Sequence, residues 1–172
     1  INNFISCHNS PSYSYGIYSN NNIYINFYHN SVNVTDGNSS YGYAFYATSG
    51  NNITLQNNIF ANTKTSGGYA IYSNSTSNIS ASDYNDLYSE GSNLGYWSGN
   101  RIDLSAWKTS SGKDANSVSS DPGFASDTNL HAYAAACDGQ AIPIASITDD
   151  IDGDVRDGSN PDIGADEFDG TP

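Results

Sequence analysis

The stretch NNIFANT, Asn57–Thr63, decides how this chain reads. It opens on paired asparagines, which strands disfavour, yet it lies where apolar and polar residues alternate as they do in a strand. Spacing resolves the conflict. Asn58 (NIFA) has counterparts at Asn3 (NFIS), Asn30 (NSVN) and Asn85 (NDLY), spaced 27, 28 and 27 residues apart. Two positions after each stands an apolar residue: Ile5, Val32, Phe60 and Leu87. A second marker recurs as YGIYS (15–19), YAFYA (43–47) and YAIYS (69–73), and a third precedes the asparagines as NIYINF, NITLQ and NISAS. Markers that keep one order and nearly one period define a true repeat.

Each unit holds short alternating runs separated by Asn, Ser, Gly and Thr, read as strands and turns. No unit contains a helix-length periodic segment. A unit this short cannot bury its own apolar side chains, but it can when stacked on copies of itself. The expected fold is therefore all-β: a parallel β-solenoid of about four coils, with equivalent residues of successive turns about 4.8 Å apart. A recurrent Asn at a bend enters left-handed backbone cheaply, and its amide can bond the Asn above and below. Asn3, Asn30, Asn58 and Asn85 are thus expected to form a structural ladder, with glycan contact as the competing role. Ile17, Phe45 and Ile71 share one parity and should point inward. Tyr18, Tyr46 and Tyr72 then form an outward ladder.

The chain has 172 residues, no Met, and 18 acidic against 5 basic residues, a net charge of −13. With no basic stripe it offers no dock for nucleic acid or anionic membrane, and no apolar run is long enough for membrane insertion. Only Asp36, Asp83, Asp86 and Glu90 precede residue 100, so the second half is the acidic one. The start at Ile1 reads as a processed product or a piece of something longer. Cys7 and Cys137 are either two buried thiols or one disulfide joining the two ends. The Asn-x-Ser/Thr sequons at Asn33, Asn38, Asn52, Asn74 and Asn78 are what chance produces in such a composition.

The organisation read from the chain is coils over 1–95, a final coil with a capping helix or loop over 96–130, and an acidic segment over 131–172 that packs back on the solenoid. Asp103 is an N-cap candidate and Gly112 a stop, which predicts a helix over about 103–110. Trp107 on it should plug the side of the last coil and help cover an open strand edge. The Tyr ladder is a candidate surface for the returning segment.

The repeats resemble those of right-handed parallel β-helix proteins of the pectate-lyase-like superfamily. SDYNDLY, DLSAWKTSSGKDANSVSSDPGF, NLH, DDIDGDVRDG and PDIGADEF are similar, in order and spacing, to the closing segment of many large secreted bacterial β-helix proteins, especially surface proteins of Bacteroidetes type. The resemblance implies the fold and an extracellular, cell-surface address. It implies no single activity, because the superfamily hosts lyases, hydrolases, adhesins and filaments.

The residues point away from catalysis within this segment, and no catalytic residue is assigned. A lyase needs Lys or Arg on a coil face; Lys64, Arg101, Lys108, Lys113 and Arg156 fall elsewhere. A glycoside hydrolase needs converging carboxylates, and Asp83 and Asp86 are separated by a bend. His8, His29 and His131 lack metal spacing, and His29 reads as a stacking residue at the bend. In DDIDGDVRDG, Asp150, Asp152 and Asp154 around Gly153, with Asp157, form an oxygen-dense turn able to take Ca²⁺. The alternative is a solvated turn in which an Asp caps backbone N–H groups and Arg156 pairs with Asp162, Asp166 or Glu167. Tyr18, Tyr46 and Tyr72 are either a carbohydrate-binding platform or support for neighbouring rungs. The leading expectation is a non-enzymatic extracellular structural or adhesive module, with a polysaccharide or another copy of itself as partner and head-to-tail filaments as one outcome. Two alternatives stand beside it: part of a polysaccharide-degrading enzyme with catalytic coils upstream, and a carbohydrate-binding module.

Overall fold

The computed structural model describes residues 1–8, 13–35, 41–65 and 67–169. The sequon at Asn38 and the last three residues of the acidic segment lie outside them. The chain winds as a parallel β-solenoid. The first turn carries β1 (Phe4–Cys7), β2 (Ser14–Ser19) and β3 (Asn22–Tyr28); the second β4 (Ser31–Val34), β5 (Gly42–Ala47) and β6 (Gly50–Gln56); the third β7 (Ile59–Asn62), β8 (Tyr69–Ser73) and β9 (Ile79–Asp83). A closing part-turn adds β10 (Asp86–Ser89), β11 (Gly95–Trp97) and β12 (Asn100–Arg101), and then helix α1 (Leu104–Ser111). The faces are the sheets β1-β4-β7-β10, β2-β5-β8-β11-β12 and β3-β6-β9, parallel except for the β11–β12 pair. Four rungs on the first face make about three full turns, one fewer than the coils counted from sequence.

Register follows the repeat. Ile5, Val32, Phe60 and Leu87 pair in one column, and Ile17, Phe45 and Ile71 in another. Val32, Phe60, Leu87, Phe45 and Ile71 are fully buried in the solenoid core.

The asparagine ladder runs the length of the stack. Asn3 Nδ2 donates to Asn30 Oδ1 (2.7 Å), Asn30 Nδ2 to Asn58 Oδ1 (2.8 Å) and Asn58 Nδ2 to Asn85 Oδ1 (3.0 Å). The backbone N–H groups of Asn30 and Asn58 donate to the next amide as well. These residues are not the left-handed ones, however. The positive φ falls one position earlier, at Asn2 (50°), His29 (49°), Asn57 (60°) and Tyr84 (55°). The doublet of NNIFANT thus divides two tasks: Asn57 makes the bend and Asn58 makes the ladder. Tyr84 holds this conformation at a cost that Asn largely avoids. Tyr84→Asn is expected to stabilise by about 0.5–1 kcal/mol, a rise of roughly 1–4 °C in Tm for a chain of this size. A thermal melt that leaves Tm unchanged or lowers it contradicts this.

The ladder ends on Asp114, which is buried at 1 % exposure. Its Oδ1 accepts from Asn85 Nδ2 (3.1 Å), Ser82 Oγ (2.9 Å) and Ser117 Oγ (2.7 Å), and its Oδ2 accepts from Trp107 Nε1 (2.7 Å). Helix α1 has Asp103 as N-cap, accepting from Ala106 N, and Gly112 in left-handed conformation after its last residue. It seats Trp107, fully buried, edge-on against Trp97. Gly95 is required beneath it, because a Cβ there would stand 2.8 Å from the Trp107 ring. Residues 114–120 then bond the last rung: Asp114 N to Ser82 O, Leu87 N to Val118 O and Val118 N to Asn85 O.

The acidic segment returns along the outer side of the first face. Ala132, Cys137, Ala141 and Ile163 pack on Ile59 and Ala61, so β4 and β7 are buried on both sides. The Tyr ladder is not the surface it uses. Gly164 makes the closest approach: its φ is +111°, and a Cβ would lie 2.7 Å from Ile59 Cδ1 and 2.9 Å from Ser31 Oγ. Cys7 and Cys137 are free thiols. Cys7 sits on the first rung, and Cys137 Sγ lies 3.6 Å from Asp86 Oδ2 on the fourth. Three strand spacings, roughly 14 Å, separate those rungs, beyond the reach of a disulfide.

Candidate functional site

The outer side of the second face is a wall of tyrosines. Tyr18, Tyr46 and Tyr72 stack with ring centroids 5.6 and 4.7 Å apart, and Tyr96 continues the column at 4.4 Å. Beside it runs a second column, Tyr15, Tyr43 and Tyr69, stacked at 5.2 and 5.7 Å. The columns meet edge-to-face at the first three rungs: Tyr15–Tyr18 at 5.3 Å, Tyr43–Tyr46 at 4.7 Å and Tyr69–Tyr72 at 5.3 Å. Tyr13 and Tyr41 extend the wall.

The second column was not expected, because Tyr15, Tyr43 and Tyr69 share parity with the inward Ile17, Phe45 and Ile71. Strict alternation fails where two consecutive residues enter the core, Ala44–Phe45 and Ala70–Ile71. That step leaves Tyr43 with Tyr46, and Tyr69 with Tyr72, on the outer side. The signal was present as the first letter of each YxxY marker.

Within the columns the ring planes lie 8–19° apart, so most faces are covered by neighbours and the wall shows solvent its rims and hydroxyls. Tyr18 is 52 % exposed and Tyr13 55 %. Burial raises the Tyr43 hydroxyl well above the usual phenol range. It pushes Tyr72 up to about 12, with Tyr46, Tyr96 and Tyr69 adding to the effect. Tyr43 and Tyr72, at the centre of the wall, are therefore neutral at physiological pH on a chain of charge −13.

The four aspartates of the DDIDGDVRDG turn do not converge. Asp150 Oδ1 accepts from the backbone N–H groups of Asp152 and Asp154, and its Oδ2 from that of Glu167; together these bonds hold its carboxyl below the usual range against the opposing effect of burial. Asp157 Oδ1 accepts from Ser159 N and Asn160 N. Asp152 turns to His131. Arg156 Nη1 donates to Glu167 Oε2 at 3.2 Å, and its Nη2 to Asn2 Oδ1, Gly164 O and Ala165 O. Among the described residues, the His/Cys/Asp/Glu group that meets within metal-binding reach is His131, Asp152 and Asp166. Sequence reasoning missed it, because its members come from separate loops.

Of the coil acids, Asp83 accepts from Tyr84 N and from both the backbone and side-chain N–H of Asn116, and buried Asp86 accepts from Ser120 N. Lys108 donates to Ala115 O and Ser117 O, Lys113 to Ser80 O, and Arg101 to Trp97 O, while Lys64 is buried. His29 is buried and neutral. Its Nδ1–H donates to Gly164 O and its Nε2 accepts from Asn57 Nδ2, and burial, with Arg156 adding, pushes its pKa down to about 3. It fastens the returning segment to the bend. No helix among the described residues is long and apolar enough to cross a membrane.

Compared with known proteins, the chain matches no protein-family model, no curated protein and no solved structure.

Proposed function

We propose that this chain is a non-enzymatic structural and adhesive β-helix module of a secreted bacterial surface protein, and that its tyrosine wall is the face that contacts polysaccharide. The observation that carries the reading is the double column of Tyr15, Tyr43, Tyr69 and Tyr18, Tyr46, Tyr72, Tyr96, rigidly spaced by the rungs. Phenol rims supply apolar contact and hydroxyls supply hydrogen bonds, the combination neutral sugars require. Rigid rungs lower the ordering cost of binding. The acids and cations that a lyase or hydrolase would use are engaged by the chain's own groups, which supports adhesion over catalysis. The likeness of the closing motifs to secreted β-helix proteins of the pectate-lyase-like superfamily supports the address. Residues 114–120 and α1 cover the last rung, so the reading rests on the lateral wall rather than on head-to-tail filaments.

The test is co-sedimentation with a panel of insoluble neutral polysaccharides. The triple variant Tyr18→Ala/Tyr46→Ala/Tyr72→Ala should lose binding at least ~10-fold, with each ring contributing about 0.5–1.5 kcal/mol, and should keep its circular dichroism. Wild-type protein that sediments with none of the panel, or a triple variant that binds as well as wild type, overturns the reading.

A further inference from the structure

The returning segment gathers three loops around His131. Its Nε2 stands 2.7 Å from Asp152 Oδ2 and 4.0 Å from Asp166 Oδ1, and one ligand atom from each of the three residues lies within 4.8 Å of the others. The opposite ring nitrogen, Nδ1, faces Asn129 Oδ1. Because an amide oxygen only accepts, Nδ1 donates to Asn129, which leaves Nε2 as the ring atom that faces the two carboxylates. This is the arrangement by which an outer partner orients a ligating imidazole. The ring of Phe4, edge-on at 4.9 Å, fixes its plane.

Asp166 supplies an independent observation. It is 7 % exposed, and its carboxylate receives no N–H hydrogen bond from the described residues. Besides His131, its partner is the carboxyl of Asp150, with which it shares a side-chain hydrogen bond and whose oxygens also accept from backbone donors. Carboxylates of Asp152 and Asp166 gathered about one imidazole nitrogen favour a positive charge among them.

We propose that His131, Asp152 and Asp166 bind one divalent transition-metal cation, of which Zn²⁺ is the best match. The donor set is one imidazole nitrogen and two carboxylate oxygens. Such a set suits Zn²⁺ with water in the remaining position, whereas Ca²⁺ takes oxygen ligands in larger number. Asp152 is the exposed arm, its side chain 52 % accessible, and can swing to admit the ion. The cation closes the three loops against the first rung beside Phe4. It is a different set from the Asp150, Asp152, Asp154 and Asp157 turn.

The experiment uses the full chain, freed of metal, titrated calorimetrically with ZnCl₂, MnCl₂ or CaCl₂ alone, with thermal melts alongside. The expected result is one saturable Zn²⁺ equivalent and, at a hundredfold excess over Kd, a rise in Tm of roughly 5–10 °C, with Ca²⁺ much weaker. His131→Gln and Asp152→Ala should each weaken Zn²⁺ at least ~10-fold and abolish the Tm shift, while His8→Gln leaves both intact. Asp152 is exposed, so its variant keeps the test decisive should His131→Gln fold poorly. No saturable heat with Zn²⁺, a Zn²⁺ isotherm unchanged in both variants, or Ca²⁺ binding as tightly as Zn²⁺ overturns the proposal.

Discussion

Asp114→Ala is expected to cost about 3–5 kcal/mol of stability, which would make it among the most damaging single changes outside the apolar core. The carboxylate is buried and accepts from Asn85 Nδ2, Ser82 Oγ, Ser117 Oγ and Trp107 Nε1. Removing it leaves those donors without a partner where water cannot replace it, at about 1–3 kcal/mol for each group that stays unsatisfied. Relaxation of the hydroxyls recovers part of that sum. The loss also spreads, because Asn85 is the last member of the asparagine ladder and Trp107 is the plug of the last coil. Asp114→Asn separates charge from shape. Its oxygen can still serve the Oδ1 donors, but its NH₂ faces the Trp107 N–H donor to donor, so it should fall between wild type and Asp114→Ala. Urea unfolding with an unchanged m-value measures both. A loss below about 1 kcal/mol for Asp114→Ala would show that the ladder does not need its anchor.

The second large effect depends on pH and has the opposite sign. Asp86 is fully buried on β10, with Ser120 N on Oδ1 and the Cys137 thiol 3.6 Å from Oδ2. Burial is the largest influence on it and pushes its pKa up to about 7, against which the Ser120 and Cys137 bonds pull only partly. Between about pH 4 and pH 7 the folded chain therefore keeps a proton that the unfolded chain has released. Stability falls as pH rises through that window, and the full penalty is present above it. Asp86→Asn keeps the acceptor for Ser120 and removes the titration. The variant should match wild type within about 1 kcal/mol at pH 4 and exceed it by about 2–4 kcal/mol at pH 8. His29, whose pKa is lowered to about 3, works the other way: its contribution is lost as pH falls from about 6.5 towards 3. It is present in both proteins, so the difference between their stability curves isolates Asp86. A difference that stays flat from pH 4 to 8 would assign the titration to another group.

How much was legible in the sequence depended on whether a feature repeats. The Asn3, Asn30, Asn58 and Asn85 column and its Ile5, Val32, Phe60 and Leu87 neighbours could be read because every turn restates them. The bend residue was placed one position late, because Asn follows Asn at 2–3 and 57–58, while His29 and Tyr84 break the pattern. The Tyr15, Tyr43 and Tyr69 column was lost to the two-residue alternation, which gives no warning of a step such as Ala44–Phe45. Asp114 and the His131, Asp152 and Asp166 group occur once, in irregular chain, and their meaning comes only from what folds against them. The turn at Asp150 had the composition of a cation loop, but its backbone N–H groups claim the carboxylate first.

The returning segment has one more consequence. A bare solenoid gains stability only between adjacent turns and can open one turn at a time. Here Asn2 Nδ2 is tied to Asp149 O on the first rung, Ser31 Oγ to Ala165 N on the second, Asn57 Nδ2 to Ile142 O on the third, and Asp86 Oδ2 to the Cys137 thiol on the fourth. One strap bolts four rungs that otherwise meet only their neighbours. It couples distant turns directly and turns a stack capable of unzipping into a unit that melts in a single cooperative step.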